Sequence, residues 1–273
     1  MHATPSIDLT ATALAWAMFV SLPAMAQVNV GGGILPNMVG AGIGVTPRYS
    51  GASENITGIA PAIRYQFKDS ERYAEWYGTM GDVNLIDSAD WQFGPVLNLR
   101  FGRKDVEDPV VKLLDPVDNT VEGGLILARA WTSTEGTPWR LRVGVFSVFD
   151  LGDVYNGFNT TAFANFWLPV SSKVFIGLGG GLSWSAASYN RAFYGVTERE
   201  SQLSGLPAYA PDSGTRQWYA WPAVIVQVSP NWYVGGGVFY QRMMSEASNS
   251  PIVSQRGDRN QWTGGVGLAY AWK

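Results

Sequence analysis

The sequence predicts an all-β fold, a transmembrane antiparallel β-barrel, and three observations carry that expectation. From Trp262 to Trp272 every second residue of NQWTGGVGLAYAW is bulky and apolar or Gly, while the alternate set is Thr, Gly and Ala. A strand about ten residues long with an aromatic near each end matches the hydrocarbon layer and its interfacial girdles. Beyond the N-terminal segment no stretch approaches eighteen continuous apolar residues, so no membrane-spanning helix is expected. A sheet in lipid must close on itself, because each unpaired backbone group there costs several kcal/mol. Finally, Gly 32, Trp 12, Tyr 12 and Phe 12 accompany only 15% charged residues, which suits a turn-rich β protein with interfacial aromatics. A soluble β-sandwich is the competing class, but a soluble barrel would turn its larger apolar side chains inward.

The elements follow in chain order. Residues 10–22 form an apolar run ending at Pro23, followed by Ala24-Met25-Ala26, the small-x-small pattern of a signal peptidase site. Residues 1–26 are therefore expected to be a signal peptide and residues 27–273 one barrel domain, with no internal repeat or linker. Val39, Ala41, Ile43, Val45 and Tyr49 share one face opposite a Gly/Thr/Arg face ending at Arg48; Ile59, Pro61, Ile63, Tyr65 and Phe67 oppose Arg64 and Gln66. In 91–101 the odd positions are apolar and the even ones include Gln92, Asn98 and Arg100. Trp139, Leu141, Val143, Val145 and Phe149 likewise oppose Arg140 and Arg142, and Val174, Ile176, Leu178, Leu182 and Trp184 oppose a face of Gly and Ser. Further strands are predicted at 74–86, 121–132, 157–168, 217–228 and 232–242; the first two alternate less cleanly.

Short connections at 87–90, 133–138, 169–172 and 229–231 are assigned to the periplasmic side. The long ones at 104–120, 189–215 and 243–260 are assigned to the outside, as barrels of this class require. Eleven segments are visible and bacterial barrels have even strand numbers. Residues 28–34 also alternate and are taken as the twelfth strand; ten strands is the alternative.

Composition removes most chemistry. There is no Cys, and the single His is His2, inside the expected signal peptide. Thiol catalysis, His-based acid–base work, Ser/His hydrolysis and Cys/His zinc sites are thereby set aside, so the expectation is no enzyme, with no catalytic, cofactor-binding or metal residues. A formal net charge of -3 and the lack of a basic stripe argue against nucleic acid. Gly177 to Gly181 resembles a phosphate loop only superficially, since it lies within a strand and opens no helix. What remains is inward charge: Arg48, Arg64, Arg100, Arg140 and Arg142 are predicted to face the lumen, with Asp82, Glu122 and Asp150 as counter-charges. They either select anions or bind a ligand, or simply fill the lumen with ion pairs and water.

Several short motifs in a fixed order resemble the MipA/OmpV family of outer-membrane proteins. They are residues 193–197 (FYGVT), Ser204-Gly205-Leu206-Pro207 with Tyr209 and Gly214, residues 250–253 (SPIV), the closing 264–270, and residues 42–51 with 61–65 near the start. The similarity spans nearly the whole chain after residue 26. The resemblance implies an outer-membrane location and a scaffold role, joining a lytic transglycosylase to a bifunctional penicillin-binding protein in murein synthesis, with membrane lipid as the surroundings. Tyr194, Gly195, Thr197, Ser204, Gly205, Pro207, Tyr209, Ser250 and Pro251 are the candidate family-motif loop residues, read either as a folded cap over the barrel mouth or as a partner-contact site. A small-solute channel or ligand-binding barrel, and a surface adhesin acting through the long loops, stand as the other functional readings.

Overall fold

A computed structural model describes residues 36–272 other than 105, 134, 136 and 137. The expected signal peptide and the segment 28–34 lie outside the described residues.

The described chain is a closed antiparallel barrel of twelve strands, each paired with its neighbours in sequence and β1 closing on β12. β1 (Asn37–Pro47) and β2 (Asn55–Gln66) are followed by two short strands, β3 (Tyr73–Tyr77) and β4 (Met80–Asn84), and by β5 (Trp91–Arg100). The wall continues through β6 (Thr120–Ser133), β7 (Trp139–Asp150), β8 (Phe158–Pro169), β9 (Val174–Ser185) and β10 (Gly214–Gln227). It ends with β11 (Trp232–Met243) and β12 (Asn260–Trp272). Closure of β1 on β12 leaves no end strand to be exposed to lipid.

The period-2 pattern fixes which face is wet. Val39, Ile43, Leu97, Leu125, Leu178, Val266 and Leu268 are exposed on the outer face. Trp91 and Trp131, near one rim, and Trp184, Trp218 and Trp262, near the other, are exposed as well. An apolar belt between aromatic rims is the surface a bilayer solvates, and it places the barrel in a membrane. Among the described residues no helix is long and apolar enough to cross one.

The strand number agrees with the sequence reading, but the twelfth strand has a different origin. Residues 74–86, read as one strand, are a hairpin. Gly78 takes a left-handed backbone (φ 61) that a side chain would strain, and its carbonyl accepts a bond from Trp76 Nε1 at 2.8 Å, so the chain reverses after Tyr77. The weak alternation of this segment is the trace of that turn.

The long outer connections are not irregular. Those on the side of 189–213 and 244–259 carry α1 (Ala187–Tyr194), α2 (Glu198–Ser204), α3 (Ser245–Asn249) and α4 (Pro251–Gln255), and a 3-10 turn spans Val111–Leu113.

Candidate functional site: lumen and lid

Three parts make up the interior: a lid over the outer mouth, a polar sector of the lumen and an apolar one.

The lid is built by local capping and held by packed aromatics. Thr197 caps α2 by accepting from the Glu200 amide (3.2 Å) while Glu200 accepts from the Thr197 amide (2.8 Å), a reciprocal capping box. Gly205 ends the helix with φ 75, the left-handed conformation that favours glycine. Ser250 caps α4, with Pro251 in its first turn, and its hydroxyl donates to the Tyr194 carbonyl at 2.7 Å, tying the two long loops together. Tyr209 pairs with Val196 in a short bridge and donates from its hydroxyl to Glu246. Beneath these, Tyr155, Tyr189, Phe193, Tyr194, Met243 and Val253 form one buried cluster, and Tyr49, Val111, Leu114, Val196, Leu206 and Ile252 another. The candidate loop residues are thus brought together in one folded cap; Thr197, Gly205 and Pro207 are exposed on it, while Tyr194, Ser250 and Pro251 are buried.

Charge pins the lid's rim. Asp108 accepts from Arg256 (2.7 Å) and from the Val110 and Val111 amides (2.9 Å each). Burial pushes the Asp108 carboxyl up, but those bonds outweigh it and hold its pKa below the usual range. Glu200 behaves alike: burial raises it, and the Thr197 amide and hydroxyl with the Asp115 amide bring it below. Arg48 belongs here and not in the lumen wall. It stands just beyond Pro47, where β1 has ended, and pairs with Glu54 (2.8 Å) and Glu107.

Under the lid the polar sector begins with Glu122, fully buried on β6. It receives both Arg100 Nε and an Arg100 terminal nitrogen (2.9 Å each), Asn98 Nδ2 (2.6 Å) and the Tyr155 hydroxyl (2.7 Å). Arg100 and Arg216 both lie over the ring of Tyr189, at 5.5 and 5.3 Å, so this network anchors the first helix of the lid. Lower down, Arg64 donates to Glu75 at 2.8 Å and stacks on Tyr73 at 4.0 Å, while Gln92 donates to Asp82 at 2.6 Å. Glu75 and Asp82 face each other across the β3–β4 hairpin. Arg142 lies over Phe163 at 5.2 Å. Together with Arg64 and Arg140 it lines a small cavity of about 20 Å³ at the periplasmic end. Four of the five candidate arginines therefore face the lumen. Asp150, by contrast, accepts from the Gly152, Tyr155 and Asn156 amides and shapes a turn at the outer rim, with no arginine on it. Alternation does not mark Glu75 or Arg216: Glu75 lies in the hairpin, where the period is blurred, and Arg216 at a bulge near the start of β10.

The apolar sector spans β9 to β2. Inward Gly177 and Gly179 leave the space that Trp167 and Trp221 occupy: an added Cβ would meet these rings at 2.5 and 2.3 Å. Trp167, Trp221, Ile225 and Phe239 pack as one cluster. Beside them, where the inward positions are Gly235, Gly237, Gly267, Ala60 and Ala62, lies a cavity of about 110 Å³ with almost wholly apolar walls.

The family profile described as MltA-interacting protein MipA matches residues 39–272. A protein of Escherichia coli (strain K12) named MltA-interacting protein is 26% identical over 181 residues, 64% of this chain and 65% of that one. A Shigella flexneri protein of the same name matches with the same figures. The chain thus spans about 65% of the length of these curated relatives. Among solved structures, the NanC porin aligns at 10% identity with a TM-score of 0.44, covering 86% of this chain and 100% of that one. The KdgM porin aligns at 10% identity with a TM-score of 0.42, covering 86% and 99%.

Proposed function

The chain belongs to the MltA-interacting protein MipA family and is an outer-membrane β-barrel, and from that premise we propose that it is a non-enzymatic scaffold linking a murein hydrolase to a murein synthase. The observation that supports this beyond family membership is the lid. A barrel whose outer mouth is filled by two packed apolar clusters, one of them mainly aromatic, is better suited to be a rigid platform than a conduit. Its periplasmic rim is the face available to cell-wall enzymes, and the rim is braced. The Glu71 amide donates to Asp87 at 2.7 Å, and Asn84 Nδ2 donates to the Glu71 and Ile86 carbonyls at 3.1 and 2.9 Å, fixing two neighbouring turns against each other.

Affinity capture tests the reading. The detergent-solubilised barrel is expected to retain a lytic transglycosylase and a bifunctional penicillin-binding protein together, and charge reversal at the exposed rim residues Lys68 and Arg72 to weaken retention. Failure to retain either enzyme would overturn the scaffold reading. The second reading, a small-solute channel or ligand-binding barrel, is favoured by the apolar cavity. Planar-bilayer recording separates its two forms, since only a channel passes current.

A further inference from the structure

The wall of this barrel is incomplete on one side, and the apolar cavity reaches that place. β3 and β4 have five residues each, about 17 Å of extended chain, against a hydrocarbon layer of about 30 Å. Both start or end at the periplasmic rim; on the β5 side their turn reaches Leu99, whose amide donates to the Thr79 carbonyl at 2.8 Å, but on the β2 side it stops short. The β2–β3 ladder runs from Gln66↔Tyr73 to Ala62↔Tyr77, and its last rung is the Gly78 amide on the Pro61 carbonyl at 2.9 Å. Above that rung β2 continues through residues 55–60, paired with β1 on one edge and with no strand on the other. Exposed Ile59 and, below the last rung, Ile63 lie on the outer face of β2 beside this notch, which therefore opens within the apolar belt.

Ala60, Pro61 and Gly78, which frame the foot of the notch, are also walls of the 110 Å³ cavity. On the far side the cavity ends against Trp221 and Phe239. A space with apolar walls that begins where the wall stops, at the depth of lipid tails, meets one abundant class of apolar molecule. Moving methylenes within apolar surroundings costs little, and filling a void restores dispersion contacts that its lining lacks.

We propose that the cavity takes an acyl chain of an outer-leaflet lipid, entering sideways between β2 and the β3–β4 turn. The inference is independent of the scaffold reading, which concerns the periplasmic rim.

Photo-crosslinking tests it. The full chain is reconstituted in phosphatidylcholine vesicles carrying a phospholipid with a diazirine near one acyl terminus, irradiated and mapped by mass spectrometry. Adducts are expected on lumen-facing Ala223, Tyr233 or Phe239 in addition to outward Leu97 and Leu125, which lie outside the cavity and serve as internal controls. Adducts confined to outward positions would overturn the proposal. Gly235→Val, where an added Cβ meets Ile225 at an ordinary 3.4 Å, and Ala60→Trp at the entrance are each expected to lose the lumen adducts and keep the outward ones. Lumen adducts that persist in both folded variants would also overturn it. Should neither variant show the heat-dependent gel shift of a folded barrel, the wild-type map decides alone. A diazirine-bearing short alkane added from water forms the last arm: lumen labelling by the alkane but not by the lipid would assign the cavity to a free apolar solute and refute acyl entry.

Discussion

The two halves of the lumen solve the same problem in opposite ways. On the side of β2 to β7, space is filled by charge: Glu122 holds Arg100, Asn98 and Tyr155, and Arg64 holds Glu75. On the side of β9 to β2, glycines make room for Trp167 and Trp221, and a cavity remains. The difference teaches that polar filling and empty space are alternatives within one wall. Buried charges demand partners from every side and so leave little room, whereas an apolar lining tolerates a void.

The largest effect is expected where that demand is strongest. Glu122→Ala leaves Arg100 buried without its carboxylate, and loss of about 3–5 kcal/mol is expected for breaking such a pair; urea unfolding in detergent measures it. If this variant were as stable as wild type, the polar sector would be solvated filling and not a demanding network. In the apolar sector two similar substitutions should part company. Gly179→Val drives into Trp221, with an added Cβ at 2.3 Å, and is expected to cost about 1–3 kcal/mol by overpacking. Gly235→Val enters the cavity and should cost less, and equal losses in the same unfolding assay would deny that the cavity is open space.

The lid supplies smaller effects. Ser250→Ala removes a helix cap and the bond to the Tyr194 carbonyl, and about 1 kcal/mol of lid stability should go with it. Faster protease cleavage between residues 189 and 259, with the barrel intact, would report that loss. Smallest is the pH response. Asp108 and Glu200 have depressed pKa values, so their contribution is fully present above the unfolded carboxylate pKa of about 4. It is lost as pH falls through their lower folded values. Lid cleavage by an acid-active protease should therefore rise only well below pH 4, while strand protection persists; a lid that loosens between pH 7 and 5 would contradict this assignment.

Some of the lid was legible in advance. Thr197 followed three residues later by Glu200, and Ser250 followed by Pro251, are helix-start signals that the sequence carries openly; the reading of these stretches as a folded cap or contact site placed no helix in them. The hairpin at Gly78 left only a blurred alternation, because two five-residue strands joined by two residues nearly preserve the period of one. Arg48 shows the opposite failure. It keeps the inward parity of β1, but the strand stops at Pro47, and parity carries no meaning past a strand end.

The sequence by itself determined that strands cross a bilayer, which face of each meets lipid, which rim carries the long loops, and that histidine and cysteine chemistry plays no part after residue 26. These are local properties, set by a period of two and by composition. Only the tertiary structure decided that Arg100 meets Glu122, that Tyr189 sits between two arginines, that Trp221 lies over Gly179, and that the wall stops short beside an apolar cavity. Such meetings depend on strand stagger and barrel closure, which bring together inward positions from distant strands and leave no mark on the alternation of any one of them.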